Sequence, residues 1–208
     1  MTLPAGVERR EFEGRERLAT RGEPVYGEPV QGEWRAWDPN RSKLGAMFEK
    51  EMDLGLAGGE RVLYLGAASG TTVSHVADFA GPTYAVEFAP RPVRDLLSVV
   101  ESRENMFALL KDARKPKTYA HVVENVEAVI QDVATRGQAE VAIRNREFLA
   151  DEGRLLAAIK ARSEDVTRDP GDVFSDVIDR LSEGYEILQT ERLEPYHDDH
   201  LAVVATPK

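Results

Sequence analysis

The amino-acid sequence predicts an α/β fold: a mostly parallel sheet with an antiparallel strand at one edge, preceded by a small N-terminal β module. Apolar runs of strand length alternate with helix-like periodicity from residue 61 to residue 182, which is typical of parallel sheets. A turn of small residues follows the first of these runs directly. The chain ends in two strand-like runs joined by a short loop, which predicts an antiparallel pair at the edge.

The N-terminal part of the chain differs from the rest in its density of glycine and charge. Residues 1–55 are predicted to form a small β-rich module with a connecting helix, and residues 56–208 the larger domain. Strand-like pieces at 6–12, 16–20 and 33–37 are separated by glycine turns. This arrangement predicts a small antiparallel sheet.

The segment after these strands contains both tryptophans and the start of a helix. Trp34 and Trp37 either pack between the small sheet and the larger domain or stack on RNA bases, and packing is the favoured interpretation. Ser42 is the predicted N-cap of a helix over 43–52. Lys43 then lies in the first helical turn, where the helix dipole opposes a cation, and this placement suggests a functional role.

The turn after the first core strand gives the first indication of a ligand. Strand residues 62–65 lead into the small residues 66–70, and Thr71 and Thr72 open a helix. Backbone N–H groups in such a turn can reach a ligand. The next strand ends in Glu87, about 20 residues after the turn begins, where a carboxylate can bind a ribose.

The glycine spacing of this turn excludes two phosphate-binding motifs. Gly66 and Gly70 match neither the dinucleotide fingerprint nor a P-loop, because no Gly-Lys-Ser/Thr follows. An adenosyl ligand without phosphate is therefore favoured. The alternative is a tight turn between strand and helix that binds nothing.

The remaining core elements are predicted from the same periodicities. They are helices over 89–102, from 134 onward and over 170–182, and strands over 105–110, 126–130, 154–159, 185–193 and 201–206. Asp112, Asp132 and Lys160 follow or end three of these strands. Because the carboxyl ends of parallel strands meet at one edge of a sheet, we expect these side chains to surround one crevice.

The composition limits the classes of function. With 37 acidic and 27 basic residues the net charge is −10, which argues against binding of nucleic acid over a broad positive surface. The basic residues are mostly arginine, and this acidic, arginine-rich composition indicates adaptation to high salt. High salt weakens contacts with phosphate, so protein partners become more important.

The chain has no cysteine and no histidine spacing typical of a metal site. No apolar stretch is long enough for a membrane span, so we expect a cytoplasmic protein with no membrane partner.

Four ionisable residues are candidates for catalysis. They are Lys43, Asp132, Lys160 and His200, the last just before the final strand. Such a set could remove the proton of a ribose 2′-hydroxyl while a sulfonium methyl group lies in line behind it. Two lysines held close together repel each other's charge, and a carboxylate orients them. The alternative is a structural ion pair between Asp132 and Lys160, with Lys43 and His200 as ordinary surface groups.

Several sequence blocks together resemble one family over about residues 23–206. The blocks are 37–44, 62–78, 86–91, 94–97, 112–114, 132–134 and 158–163. They resemble the archaeal fibrillarins, S-adenosylmethionine-dependent RNA 2′-O-methyltransferases of box C/D ribonucleoproteins. The resemblance implies the Rossmann-like methyltransferase form of the predicted sheet and S-adenosyl-L-methionine as the cofactor.

The resemblance also implies which residues bind the cofactor. Glu87 would bind its ribose, Phe88 and Asp112 would lie around the adenine, and residues 132–135 would lie near the reacting end. The whole implied set is Gly66, Ala67, Gly70, Thr71, Thr72, Glu87, Phe88, Asp112, Ala113, Asp132, Val133, Ala134 and Thr135. The family usually has Gln where this chain has Thr135.

Finally, the resemblance assigns catalysis to Lys43, Asp132, Lys160 and His200, and target choice to partners. A box C/D guide RNA would pair with rRNA and tRNA substrates, while a Nop-type scaffold protein and a kink-turn-binding ribosomal-type protein would position the enzyme on its target.

Two alternative functions stay open. A stand-alone RNA 2′-O-methyltransferase of the heat-shock rRNA type would have Glu in place of His200, and a mainly structural ribonucleoprotein subunit would tolerate loss of Lys160 or Asp132.

Overall fold

A computed structural model describes residues 2–208, and the N-terminal part forms a four-stranded antiparallel sheet. Its strands are β1 (Val7–Phe12), β2 (Arg15–Arg21), β3 (Val30–Gln31) and β4 (Trp34–Trp37). They are arranged in the order β1-β2-β4-β3. The predicted small β module is thereby confirmed, whereas the domain division at residues 55 and 56 stays a prediction.

The central sheet has seven strands. They are β5 (Val62–Leu65), β6 (Thr83–Glu87), β7 (Met106–Leu110), β8 (Val126–Gln131), β9 (Leu149–Lys160), β10 (Tyr185–Arg192) and β11 (His200–Pro207). Their order is β10-β11-β9-β8-β5-β6-β7, and β11 is antiparallel to both of its neighbours while the other pairs are parallel. The mostly parallel sheet with antiparallel pairing at one edge is confirmed, and the reversed strand is β11, one position inside the edge strand β10.

Helices cover both faces of this sheet. They are α1 (Lys43–Glu49), α2 (Thr71–Phe79), α3 (Pro90–Val100), α4 (Gln138–Asn145), α5 (Ala161–Glu164) and α6 (Pro170–Leu181). Successive strand side chains point to opposite faces, so Val62 and Tyr64 join the core beneath α1, α2 and α3, and Leu63 and Leu65 the core beneath α4 and α6. Among residues 2–208, no helix combines the length and apolar character needed to cross a bilayer.

The tryptophans pack rather than face solvent. Trp37 is fully buried and stacks on His75 of α2, with ring centroids 4.8 Å apart. Trp34 lies beneath the guanidinium groups of Arg10 and Arg21. Packing between the small sheet and the larger domain is therefore confirmed for Trp37, which has no free face for an RNA base, whereas Trp34 packs with Phe12, Ala19 and Ala36 within the small sheet.

The start of α4 differs from the sequence prediction. The helix predicted from residue 134 begins at Gln138, because residues 132–137 form a loop that ends at Gly137 with a left-handed φ of 74°. Glu164 of α5 caps the helix by accepting hydrogen bonds from the backbone N–H groups of Gly137 at 2.9 Å and Gln138 at 2.7 Å. This cap comes from a residue distant in sequence, so the local pattern could not reveal it.

Candidate active site

A cavity of about 300 Å³ lies at the carboxyl ends of the parallel strands. Its lining residues are Gly66, Ala68, Val86, Glu87, Phe88, Lys111, Asp112, Ala113, Arg114, Asp132, Val133, Ala134, Thr135 and Val141. Most of the residues predicted to bind a cofactor are among them, and the exceptions are Ala67, Gly70, Thr71 and Thr72. Contact of any of these residues with a cofactor stays a prediction.

The four exceptions shape the turn behind the cavity. Ala67 is buried, and Gly70 precedes α2 with a left-handed φ of 98°. A Cβ at Gly70 would lie 2.9 Å from the side chain of Val99. Glycine is therefore required there both by the left-handed backbone and by the lack of space for a side chain. Thr71 and Thr72 form the first turn of α2.

Gly66 brings the ends of β5 and β8 together. Its φ is 86°, and a Cβ would lie 2.2 Å from the carbonyl oxygen of Asp132. No side chain fits in that gap. The glycine therefore places the backbone of Asp132 against the turn and at the edge of the cavity.

Glu87 holds the loops on either side of the cavity. Its two carboxylate oxygens accept hydrogen bonds from the backbone N–H groups of Ala68 at 2.9 Å and Ala89 at 2.8 Å. Ala68 has a φ of 47°, an unfavourable conformation for a residue with a Cβ, and the bond to Glu87 stabilises it. Each carboxylate oxygen keeps a lone pair for a ligand hydroxyl.

Asp112 is a second carboxylate at the cavity. Its side chain accepts hydrogen bonds from Arg114 at 2.9 Å, and these bonds lower the pKa of the Asp112 carboxyl. It is therefore ionised near neutral pH and able to accept a hydrogen bond from an amino or hydroxyl group.

The predicted catalytic residues meet beside this cavity, with different pairing from that expected. Lys43 Nζ lies 3.1 Å from Asp132 Oδ2, and both side chains are partly exposed. The structural ion pair between Asp132 and Lys160, which was the alternative interpretation, is not formed, and within residues 2–208 the Lys160 side chain has no ion-pair partner. The reason is geometric, because α1 brings Lys43 to the end of β8 while Lys160 ends the next strand, β9.

His200 completes the group. It lies opposite Lys160 in the register of β9 and β11. Its Nδ1 donates to the carbonyl oxygen of Asp198 at 2.7 Å, which leaves Nε2 as an acceptor. Burial, with the charge of Lys43, lowers the pKa of His200, so the ring is neutral near pH 7. His197 lies against His200, with ring centroids 5.7 Å apart.

Gln138 is a residue of this site that sequence reasoning missed. It is fully buried, its Nε2 donates to the Lys160 carbonyl oxygen at 3.0 Å, and its Oε1 accepts from the Lys160 N–H at 2.9 Å. The two bonds fix the backbone of Lys160. The only signal in the sequence was a glutamine close to Thr135, which did not reveal its partner.

Comparison with known proteins places the chain in one family. The Fibrillarin family model matches residues 8–208. A fibrillarin-like rRNA/tRNA 2′-O-methyltransferase from Halorubrum lacusprofundi is 72% identical, covering 99% of this chain and 98% of the relative. The solved fibrillarin/Nop5p complex matches with a TM-score of 0.92 at 40% identity and covers all of both chains. Aeropyrum pernix fibrillarin with natively bound S-adenosyl-L-methionine matches with a TM-score of 0.85 at 42% identity, covering 99% of this chain and 100% of that one. The chain belongs to the fibrillarin family.

Proposed function

We propose that this chain is an S-adenosyl-L-methionine-dependent 2′-O-methyltransferase of rRNA and tRNA, directed by a box C/D guide RNA. Its similarity to the rRNA/tRNA 2′-O-methyltransferase of Halorubrum and to a fibrillarin with natively bound cofactor supports this activity. The observation that carries the proposal is the position of Asp132. This residue lines the cavity and also forms the ion pair with Lys43, so it joins the binding and catalytic groups.

The residues of the cavity fit an adenosyl ligand. Glu87 presents carboxylate oxygens suited to ribose hydroxyls, Asp112 can accept from an amino group, and the exposed ring of Phe88 offers a stacking surface. The three carboxylates at the cavity, those of Glu87, Asp112 and Asp132, disfavour a phosphate-bearing ligand because like charges repel. When bound, the cofactor supplies an electrophilic methyl group.

The catalytic group acts on the acceptor hydroxyl. Lys160 would take the proton of the ribose 2′-hydroxyl on the lone pair of its amine, while the hydroxyl oxygen bonds to the methyl group and the sulfur–methyl bond of the donor breaks. The neutral His200 accepts a hydrogen bond through Nε2 to hold the ribose. Asp132 was expected to orient Lys160. It pairs with Lys43 instead and offsets the charge of that lysine. Lys43 and Asp132 together fix α1 against the end of β8.

The proposed partners follow the same family. A Nop-type scaffold protein, as in the fibrillarin/Nop5p complex, would carry the chain together with a kink-turn-binding ribosomal-type protein and the guide RNA. The net charge of −10 supports such a division, because the partners would supply most of the RNA affinity. The cytoplasmic location expected from the sequence stays a prediction.

Replacement of Lys160 tests this function. In the reconstituted complex, Lys160→Ala should lower the single-turnover methylation rate by about 10²–10⁴-fold, the loss typical of an acid–base group, with cofactor affinity unchanged. Lys160→Arg should not restore the rate, because a guanidinium holds its proton. Lys50→Ala, which removes a lysine paired with Glu191 outside the catalytic group, is the control. A near-normal rate for Lys160→Arg would show that charge alone suffices, and a near-normal rate for Lys160→Ala would place the reaction elsewhere.

A further inference from the structure

The loop between β10 and β11, residues 193–199, delivers His200 to the catalytic group. Its first residue, Leu193, is fully buried, and the Leu193 carbonyl oxygen accepts hydrogen bonds from the N–H groups of Tyr196 at 2.9 Å and His197 at 3.1 Å. This turn fixes the backbone of His197, whose side chain is partly buried. His197 is therefore a titratable residue, held beside the catalytic group, that the proposed reaction does not use.

The side chain of His197 reaches the segment that precedes α1. Its Nε2 lies 2.8 Å from the carbonyl oxygen of Pro39, 158 residues away in sequence. A carbonyl oxygen can only accept, so the imidazole donates this hydrogen bond. Pro39 stands four residues before Lys43, and His197 stands three residues before His200. The bond therefore joins the two segments that deliver Lys43 and His200 to the site.

The ring of His197 also lies against the catalytic group. It is edge to face with the ring of His200, with centroids 5.7 Å apart and planes inclined by 60°. Burial and the charge of Lys43 lower the pKa of His197, whereas the charge of Asp132 raises it, so the ring lies within electrostatic reach of that ion pair. Because the Nε2 proton is engaged by Pro39, the ring is suited to holding its neighbours in place rather than to moving a proton.

Other contacts hold the same loop to α5. The carboxylate of Asp199 accepts a hydrogen bond from Arg162 Nε at 2.9 Å, and the Asp199 carbonyl oxygen accepts one from the Ala161 N–H at 3.0 Å. Both partners belong to α5, which begins directly after Lys160. The loop therefore stays attached to the end of β9 without His197. Loss of the His197 bond would release it only from the segment before α1.

We propose that His197 is a positioning residue whose hydrogen bond to Pro39 sets the separation of Lys43 and His200. The inference rests on the proposed function and adds a residue outside the four predicted for catalysis. An in-line transfer tolerates little displacement, since a shift of about 1 Å can cost about 10²-fold in rate. The alternative is that the bond only stabilises the loop, in which case its loss would lower stability and leave the rate unchanged.

The test compares two replacements that separate the ring from the donor. His197→Phe keeps an aromatic ring beside His200 but has no N–H, whereas the amide Nε2 of His197→Gln lies the same number of bonds from the backbone and can donate to Pro39. His121→Phe is the matched control, because His121 is an exposed histidine in the turn before β8, at the amino ends of the parallel strands. The single-turnover rate, KM for target RNA and cofactor affinity are measured in the assembled complex with guide RNA, and the free energy of unfolding on the chain itself.

His197→Phe should lower the single-turnover rate by about 10–100-fold, with KM for RNA and cofactor affinity near wild type, because the binding groups keep their places. His197→Gln should recover most of that loss, and His121→Phe should match the wild type. If circular dichroism shows that the phenylalanine ring disturbs the fold, His197→Ala takes its place in the comparison.

Three results would overturn the role of His197. They are a wild-type rate without the donor, equal losses of rate with and without the donor, and a rise in KM for RNA with the rate unchanged. A wild-type complex that transfers no methyl group would overturn the proposed function, and the role of His197 with it.

Discussion

Gln138 links the backbone of a strand end to the start of a helix at the site. Its amide forms hydrogen bonds with both the N–H and the carbonyl oxygen of Lys160, and its own N–H is capped by Glu164. A displacement of a reacting group by about 1 Å can cost about 10²-fold in rate. Gln138 is therefore a positioning residue for Lys160 in the proposed reaction.

Gln138→Ala should lower kcat by about 10–100-fold while cofactor affinity and KM for RNA stay near wild type, because the backbone of Lys160 loses its two fixed bonds. The free energy of unfolding should also fall by about 1–3 kcal/mol, since a buried N–H and carbonyl lose their partners. Asn105→Ala, which removes three hydrogen bonds to the backbone near the start of β6, is the control for stability. If both variants lose stability and keep kcat, Gln138 is structural only.

At this scale the sequence predicts the residues whose position follows from the backbone. Glu87, Asp112 and Asp132 were placed at the crevice because each ends or follows a parallel strand. The pairing of Asp132 with Lys43 and the bonds of Gln138 depend on how far individual side chains reach across elements. Strand order and periodicity do not contain that information.

At the scale of elements, a buried ionic network joins the N-terminal sheet to α2. The Arg35 guanidinium of β4 is fully buried and donates to Glu28 at 2.6 Å, Asp78 at 2.8 Å and Ser74 at 2.9 Å. Arg103 contacts the other oxygen of Asp78 at 3.1 Å. Helix α2 begins directly after the turn of residues 66–70, so this network also holds the helix that follows that turn.

Arg35→Met should lower the free energy of unfolding by about 3–5 kcal/mol, because it leaves the Glu28 carboxylate buried without its cation. Denaturant unfolding followed by tryptophan fluorescence measures this directly, since both tryptophans flank Arg35 in β4. Arg168→Met breaks an ion pair with Asp176 on the surface and should leave stability nearly unchanged. Equal stability of the two variants would mean that the network contributes no more than a surface pair.

The helices and strands were largely predictable from the sequence. A helix cap supplied by a residue remote in sequence was not. Periodicity and turn residues located the strands of the central sheet, and Ser42 was confirmed as the N-cap of α1, with its Oγ accepting from the Gly45 N–H at 3.0 Å. The predicted start of α4 at residue 134 was wrong, because the residue that caps the helix, Glu164, is remote in sequence. The burial of Arg35 is likewise not encoded in the local pattern, since its buried acidic partners Glu28 and Asp78 lie elsewhere in the chain.

At the scale of the whole molecule, charge is distributed unevenly. The chain has a net charge of −10, and within residues 2–208 eleven of its 20 arginines pair with acidic neighbours. A chain of this net charge supplies few of the phosphate contacts needed for tight binding of RNA on its own.

The isolated chain should therefore bind S-adenosyl-L-methionine but bind guide RNA only weakly, with Kd in the range of about 10⁻⁴–10⁻⁶ M typical of non-specific contact, and lose that affinity as salt rises. Filter binding of guide RNA by the isolated chain and by the assembled complex, across a salt series, measures the difference. The scaffold and kink-turn proteins without this chain are the control, and they should keep the RNA affinity of the complex yet transfer no methyl group. Tight, sequence-dependent binding of guide RNA by the isolated chain at high salt would contradict this division, because it would require a broad phosphate-binding surface that the net charge of −10 disfavours. Such a result would also move the source of target selection from the partners to the enzyme itself.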